Sequence, residues 1–127
     1  MLDLADLKEG DSLLDLGSGT GGLLVAAAKR GVSGVGIELN PLLWAYSQIH
    51  IWPHRDQIKI KLGNYWQLDW PEVDCIYVFL IDRYMKKLDR ELTSRLKRPT
   101  KVVSYVFKIP DKTPVRRLHN AQLYEYE

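Results

Sequence analysis

A glycine-rich segment between an apolar run and an alanine-rich stretch constrains the fold of this chain more than any other feature. Residues 15–22 read Asp-Leu-Gly-Ser-Gly-Thr-Gly-Gly. They follow the apolar run Leu13–Leu16 and open residues 22–30, which predict a buried helix stopped by Gly31. Glycines let the backbone turn sharply from strand to helix and let a ligand approach it closely. The segment therefore predicts a strand, a ligand-binding turn and a helix.

Further strands and helices are predicted to alternate along the rest of the chain. Asn40-Pro41 supplies a helix cap followed by a proline at the first helical position. The alternating run Ile58–Leu62 predicts a half-buried strand near a sheet edge. This order predicts an α/β fold, a Rossmann-like, doubly wound, mostly parallel sheet with its ligand site at the carboxyl ends of the strands. The other predicted elements are strands Val35–Leu39, Val73–Ile81, Val102–Phe107 and Ala121–Tyr126, and helices Pro41–His50 and Tyr84–Leu96.

Length and composition fit one globular domain over residues 1–127. Hydrophobic residues make up 46% of the 127 residues and charged residues 27%, which is typical of a chain that folds around one core. No apolar run is long enough to span a bilayer, and the amino terminus lacks the pattern of a secretion signal. Cys75 is the single cysteine, so an internal disulfide is excluded and a buried role is expected. We therefore expect a soluble, cytoplasmic protein.

The two parts of the chain differ in charge. Residues 1–52 carry 3 Lys/Arg and 6 Asp/Glu, a net charge of −3, whereas residues 53–127 carry 15 and 10, a net charge of +5. This asymmetry weakly indicates an acidic partner for the second part, with a solvated helix face as the alternative. The basic residues on or beside the helix Tyr84–Leu96 are Arg83, Lys86, Lys87, Arg90, Arg95, Lys97 and Arg98.

Two acidic residues narrow the kind of ligand that the turn would bind. Gly17, Gly19 and Gly22 have the spacing of a dinucleotide-binding turn, and a role in packing alone is also open. Glu38, 23 positions after Asp15, ends the next predicted strand, where a carboxylate can accept both hydroxyls of a ribose. Asp15 lies two places before the first glycine, where it would repel a pyrophosphate. A ligand that carries a cationic amino group suits it better.

The segment Leu13–Gly21 resembles the first motif of class I S-adenosylmethionine-dependent methyltransferases, and residues 36–40 are similar to the second. The resemblance implies that Asp15 and the turn hold the amino-acid part of the cofactor and that Glu38 holds the ribose. It also implies that Asn64 and Tyr65 flank the adenine. Many relatives have an aspartate where this chain has Asn64. The cofactor-binding residues implied are Asp15, Gly17, Ser18, Gly19, Thr20, Gly21, Glu38, Leu39, Asn64 and Tyr65.

Within that class, the chain is similar to a family of protein lysine methyltransferases with archaeal and mitochondrial members. Residues 38–47, 63–66, 78–80, 88–92 and 102–107 carry this similarity in the same order. It implies methyl transfer from S-adenosylmethionine to a protein lysine ε-amine. We expect Phe79, Asp82 and Tyr105 to line the approach of the lysine, with core packing for Phe79 and Tyr105 and helix capping for Asp82 as alternatives.

Other functions stay open at this point. Family members usually have a proline- and threonine-containing segment before the first helix; this chain starts after it, so it is N-terminally shortened and we expect an open pocket and low activity. RNA methylation and a non-catalytic, methyltransferase-like binding module are the alternatives. The Asn/Asp-Pro-Pro-aromatic motif of amino-base methyltransferases is absent, because residues 79–82 read Phe-Leu-Ile-Asp. We expect no metal site, since Pro53 separates His50 from His54.

Overall fold

Strands and helices alternate through the first two thirds of the protein, and two further strands follow. The computed structural model describes residues 6–78, 84–96, 98–105, 109, 114, 116–118 and 121–126. The elements are β1 (Ser12–Leu16), α1 (Gly22–Ala28), β2 (Ser33–Glu38), α2 (Pro41–His50), a 3-10 helix (Trp52–His54), β3 (Ile58–Leu62), β4 (Cys75–Val78), α3 (Met85–Arg95), β5 (Thr100–Tyr105), β6 (Arg116–Leu118) and β7 (Ala121–Tyr126).

The strands form one sheet in the order β3-β2-β1-β4-β5-β7-β6. Strands β1 to β5 are parallel, and β7 runs antiparallel to both β5 and β6. The chain passes from β1 outward to β2 and β3, then returns to place β4 on the other side of β1. The carboxyl end of β1 is therefore the topological switch point, where ligands bind in open α/β sheets. This topology confirms the predicted doubly wound, mostly parallel sheet, with β3 at an edge as predicted.

Helices cover both faces of the sheet. Because side chains alternate along each strand, neighbouring residues pack on opposite faces. Leu13 packs with α1 on one face, while its neighbour Leu14 packs with α3 on the other. Helix α3 packs an apolar side against the sheet, since Met85, Leu88 and Leu92 are all fully buried. The sheet is thus held from both sides, and its carboxyl edge is left to form a site.

Strands β2 and β5 each begin two residues before the predicted start, because Ser33 pairs with Ser12 and Thr100 pairs with Tyr126. Helix α1 ends at Ala28, two residues earlier than predicted, because the Val32 N–H donates to Ala27 O and draws the chain into a tight turn through Gly31. Strand β6 was not predicted. Cys75 is buried as expected, and burial raises the pKa of its thiol to about 12.

Asp74 interrupts the apolar run before β4 for a structural reason. Its Oδ2 accepts a hydrogen bond from the Ser12 N–H at 2.8 Å, and its Oδ1 lies 3.5 Å from the Arg98 guanidinium. The carboxylate therefore joins the amino ends of β1 and β4. This is the edge of the sheet opposite to the glycine turn.

Candidate functional site

The glycine turn is fixed to the carboxyl end of β2 and leaves one side open. The Gly17 and Ser18 N–H groups both donate to Ile37 O, at 2.9 and 3.2 Å. Gly17 and Gly19 have φ angles of 80° and 59°, and a Cβ placed on either would meet no atom of the described residues within 4 Å. The turn therefore presents bare backbone to open space, as a ligand cradle requires.

Glu38 connects the turn to the start of α2. It is the last residue of β2 and is only 7% exposed. Its Oε1 accepts from the Gly19 N–H at 2.7 Å, and its Oε2 accepts from the Asn40 N–H at 2.9 Å. Each carboxylate oxygen can accept a second hydrogen bond, so Glu38 holds the loop in shape and keeps acceptor capacity for a ligand.

Asp15 is a buried carboxyl group beside the turn. It is 8% exposed, and burial, with a further contribution from the negative charge of Glu38, raises its pKa from 3.8 to about 7. No influence from the described residues lowers that pKa. The Ser18 Oγ is also buried and has no hydrogen-bond partner among the described residues. The Ser18 hydroxyl is thus buried without a described partner, and the Asp15 carboxyl group is buried without a described cation beside it, which is costly unless a ligand satisfies them.

Gly36 provides the space that Ser18 occupies. A Cβ on Gly36 would lie 2.7 Å from both Cβ and Oγ of Ser18 and 2.9 Å from Leu24 Cδ1. The turn therefore rests directly on the backbone of β2. Gly36 belongs to a sequence motif that does not reveal this role, because the contact joins residues 18 positions apart.

Helix α2 supports the other end of the turn. A ring N–H of His50, at Nδ1, donates to Thr20 O at 2.9 Å, and a Cβ on Gly21 would lie 3.0 Å from side-chain atoms of Ile51 and Ile60. Trp44 fixes α2 to β3, because its Nε1–H donates to Ile60 O at 2.9 Å. The sequence pattern raised no role for His50 other than that of a metal ligand. The structure gives it a contact with the turn instead.

A pocket of about 400 Å³ opens beside Glu38. The Asn64 Oδ1 in its wall accepts from the Trp66 N–H at 2.9 Å, so this side-chain oxygen already stabilises the loop. Burial, then the charges of Tyr84 and Glu38, raises the pKa of Tyr65 to about 12, which keeps its hydroxyl protonated. Two further lining residues, Tyr84 at the N-cap of α3 and Lys87 within the helix, were not predicted as site residues. The lining consists of Leu39, Asn64, Tyr65, Trp66, Tyr84 and Lys87.

Arg95 joins the loop of this pocket to α3. Its guanidinium donates to Trp66 O at 2.5 Å and to Leu68 O at 2.6 Å, and it pairs with Glu91 at 2.8 Å. The same group stacks 4.4 Å from the centre of the Trp70 ring. One side chain therefore holds the loop that carries Asn64 and Tyr65 against the helix that forms the opposite wall.

The residues predicted to line the acceptor approach are described only in part. Phe79 and Asp82 lie outside the described residues. Tyr105 ends β5 at the carboxyl edge of the sheet, on the same edge as the turn, and its backbone alone is described.

In the described ranges, no group of three or more His, Cys, Asp or Glu side chains could hold a metal ion. None of the helices that the structure describes is long and apolar enough to cross a membrane.

Replacing Glu38 by glutamine tests whether this carboxylate holds the turn. Glutamine has one acceptor oxygen for two N–H donors, so its amide nitrogen would face either Gly19 or Asn40. We expect a loss of about 1–3 kcal/mol in the free energy of unfolding, measured by urea denaturation. The matched control is Gln67→Glu, which changes the same functional group at an exposed position. An unchanged midpoint for Glu38→Gln would contradict the assigned contact.

The order of strands, with an acidic residue at the carboxyl end of β2 and a glycine turn at the switch point, defines a Rossmann-like methyltransferase domain. The comparison with protein families identifies which one: the chain belongs to the family of the ANTKMT methyltransferase domain, whose model matches residues 15–116. The resemblance seen in the sequence is thereby confirmed.

Three known proteins similar to this chain are named as lysine or RNA methyltransferases. The chain is 32% identical over 105 residues to a lysine N-methyltransferase of Homo sapiens that is named for an ATP synthase subunit, covering 81% of this chain and 45% of that protein. It is 30% identical over 118 residues to a protein-lysine N-methyltransferase of Saccharolobus islandicus, covering 90% and 73%. A solved RNA methyltransferase from Salinibacter ruber, in complex with S-adenosyl-L-homocysteine, has a TM-score of 0.87 and 32% identity, covering 98% and 85%. The chain thus spans about half the length of the human relative.

Proposed function

We propose that this domain binds S-adenosylmethionine at the glycine turn and transfers its methyl group to the ε-amine of a protein lysine. The observation that carries the proposal is the buried Asp15 carboxyl group beside an open glycine backbone, with no cationic group of the described chain to pair with it. The human and archaeal relatives, both named as lysine methyltransferases, support the choice of acceptor.

The residues present fit this cofactor. The cationic amino group of its methionine part matches Asp15, and the bare backbone at Gly17 and Gly19 leaves room for it. Glu38 keeps an acceptor site on each oxygen for the ribose hydroxyls. The pocket that contains Leu39, Asn64 and Tyr65 offers an apolar and aromatic surface for adenine. Roles for Ser18, Thr20 and Gly21 in forming the turn complete the proposed cofactor site.

The chemistry asks little of the protein beyond position. S-Adenosylmethionine, when bound, supplies a methyl group on a positively charged sulfur. The protein's part is to hold the acceptor amine in its neutral form, in line with that methyl group, and to exclude water. We assign the lining of this approach to Phe79, Asp82 and Tyr105, with no dedicated general base. Tyr105 lies at the carboxyl end of β5, which is the same edge of the sheet as the glycine turn.

RNA methylation is the second candidate, because the Salinibacter relative matches nearly the whole chain and is named an RNA methyltransferase. The basic residues near α3 argue against it. Arg95 is engaged with backbone carbonyls and Glu91, Arg98 pairs with Asp74, and the Lys87 ammonium lies 4.7 Å from the centre of the Trp66 ring. Of the basic side chains that the structure describes here, these three have partners within the protein, which leaves a smaller surface for phosphate contacts than the sequence indicated.

A binding module without catalysis is the third candidate, since the proposed site would bind the cofactor whether or not an acceptor is methylated.

We further propose a cytoplasmic location, supported by the buried, unpaired thiol of Cys75, which suits a reducing compartment.

Incubation of the protein with isotopically labelled S-adenosylmethionine and a cell extract distinguishes the three candidates. We expect label that resists ribonuclease, is released by protease, and maps by mass spectrometry to lysine. Label in RNA would favour the second candidate. Cofactor binding by calorimetry without label in either fraction would favour the binding module, and absence of cofactor binding would contradict all three.

A further inference from the structure

The side chain of Asn64 is committed at one end only. Its Oδ1 accepts a hydrogen bond from the Trp66 N–H at 2.9 Å. Because an amide nitrogen cannot accept, this bond fixes which end of the carboxamide is the oxygen. The Nδ2 group carries two N–H donors, and it meets no acceptor among the described residues. Asn64 therefore offers hydrogen-bond donors at the wall of the pocket beside Glu38.

The backbone on both sides of Asn64 holds the residue in this position. The Gly63 N–H donates to Glu38 O at 2.9 Å, which ties the loop to the end of β2. The Asn64 carbonyl oxygen accepts from the N–H groups of Gln67 and Leu68, at 2.9 and 3.2 Å. With the main chain fixed in this way, the carboxamide cannot turn its oxygen to the pocket without giving up the bond to the Trp66 N–H.

The other polar groups of the pocket are also able to donate. Lys87 carries an ammonium group, which has three donors and no acceptor, and which lies 4.7 Å from the centre of the Trp66 ring. The hydroxyl groups of Tyr65 and Tyr84 can donate or accept. Among the described residues that line the pocket there is no carboxylate. Such a pocket matches a ligand edge that carries acceptors.

We propose that Asn64 recognises the base of the bound nucleoside as a hydrogen-bond donor, so that the pocket selects a purine ring without requiring its 6-amino group. The inference rests on the proposed binding of S-adenosylmethionine. The ring nitrogens of adenine accept hydrogen bonds, whereas its 6-amino group donates. Placing that amino group against Nδ2 would oppose two donors, so the base lies with a ring nitrogen against Asn64.

Calorimetric titration with two ligands tests the proposal. One is S-adenosylhomocysteine, and the other is its analogue with hydrogen in place of the 6-amino group. The wild type should bind both with affinities within about threefold of each other. Asn64→Asp keeps an oxygen for the Trp66 N–H and replaces the two donors by a carboxylate oxygen. That oxygen can accept from the 6-amino group, so this variant should prefer S-adenosylhomocysteine over the analogue by about tenfold.

Gln67→Glu is the matched control, because it makes the same change from amide to carboxylate at an exposed position of the same loop, outside the pocket lining. Its ratio of the two affinities should equal that of the wild type, and thermal melts check that each variant is folded. A tenfold loss for the wild type when the amino group is removed, or an equal ratio for Asn64→Asp and the wild type, would overturn the inference. Absence of any binding of S-adenosylhomocysteine to the wild type would contradict the proposed cofactor, and this inference with it.

Discussion

The variant Asp15→Asn is expected to lose affinity for S-adenosylmethionine and S-adenosylhomocysteine while becoming more stable at pH 8. Asparagine keeps an acceptor oxygen for the ammonium group but loses the negative charge that pairs with it, so we expect affinity to fall by about 10- to 100-fold. Isothermal titration calorimetry measures this directly. The exposed Asp56→Asn removes one carboxylate elsewhere and should bind as the wild type does.

The expected gain in stability follows from the pKa of Asp15, which is raised in the folded protein from 3.8 to about 7. A carboxyl group with a raised pKa stabilises the fold while protonated, and that contribution is lost as the pH rises through 7. The ionised wild type therefore pays for burial of charge at pH 8, at about 1.4 kcal/mol per pKa unit, and the asparagine variant does not. Thermal melts should show the variant ahead at pH 8 and level below about pH 4. Equal melting temperatures at pH 8 would contradict the assigned burial.

The same ionisation predicts how ligand affinity depends on pH. A bound ammonium group favours the ionised carboxylate, so below about pH 7 binding must release a proton from Asp15. Affinity of the wild type should therefore decline from pH 7.5 to pH 5.5, approaching a tenfold loss per pH unit, roughly 1.4 kcal/mol. Asp15→Asn should show a flat profile over this range. A flat profile for the wild type would contradict the raised pKa.

The variant Gly36→Ala is expected to destabilise the fold and displace the turn. Its methyl group would lie 2.7 Å from Ser18 and 2.9 Å from Leu24, and both neighbours are buried. Overpacking of this kind costs about 1–3 kcal/mol, which corresponds to a fall of several degrees in the melting temperature of a small domain. Because Ser18 belongs to the turn, we expect affinity for S-adenosylhomocysteine to fall as well.

Gly22→Ala provides the control for Gly36→Ala. Gly22 is the first residue of α1, and within the part of the chain that the structure describes a Cβ there would meet no atom within 4 Å. Alanine has a higher helix propensity than glycine, so Gly22→Ala should be as stable as the wild type or slightly more so. Differential scanning calorimetry compares the two variants. A Gly36→Ala protein that melts and binds like Gly22→Ala would contradict the close contact between β2 and the turn.

Local signals in the sequence were sufficient to predict the bounds of elements that carry a helix cap or a regular alternation of apolar and polar residues. Asn40 caps α2 through hydrogen bonds from the Leu42 and Leu43 N–H groups, and the predicted bounds Pro41–His50 agree with the structure. The alternation over Ile58–Leu62 likewise gave β3 its bounds. Strand β6 has no such signal, since Arg116-Arg117-Leu118 forms a strand by pairing with β7, a contact that no local pattern encodes.

The residues of the candidate site likewise separate into those that the sequence indicated and those that it did not. Motif and spacing indicated Asp15 and Glu38, and the structure brings them close enough for the charge of Glu38 to raise the Asp15 pKa. The contact of His50 with Thr20 spans 30 positions, and it exists only because α2 packs beside the start of α1. Contacts of this kind depend on how whole elements pack, so they could not be predicted from residue order.

Arg95 has a consequence for the entropy of ligand binding. Because its guanidinium holds the carbonyls of Trp66 and Leu68 and stacks on Trp70, folding itself orders the loop that carries one pocket wall. A ligand that enters between Leu39 and Tyr65 meets a preformed wall and does not have to restrict that loop. The ordering is complete before the ligand arrives, and more of the contact energy is left to appear as affinity.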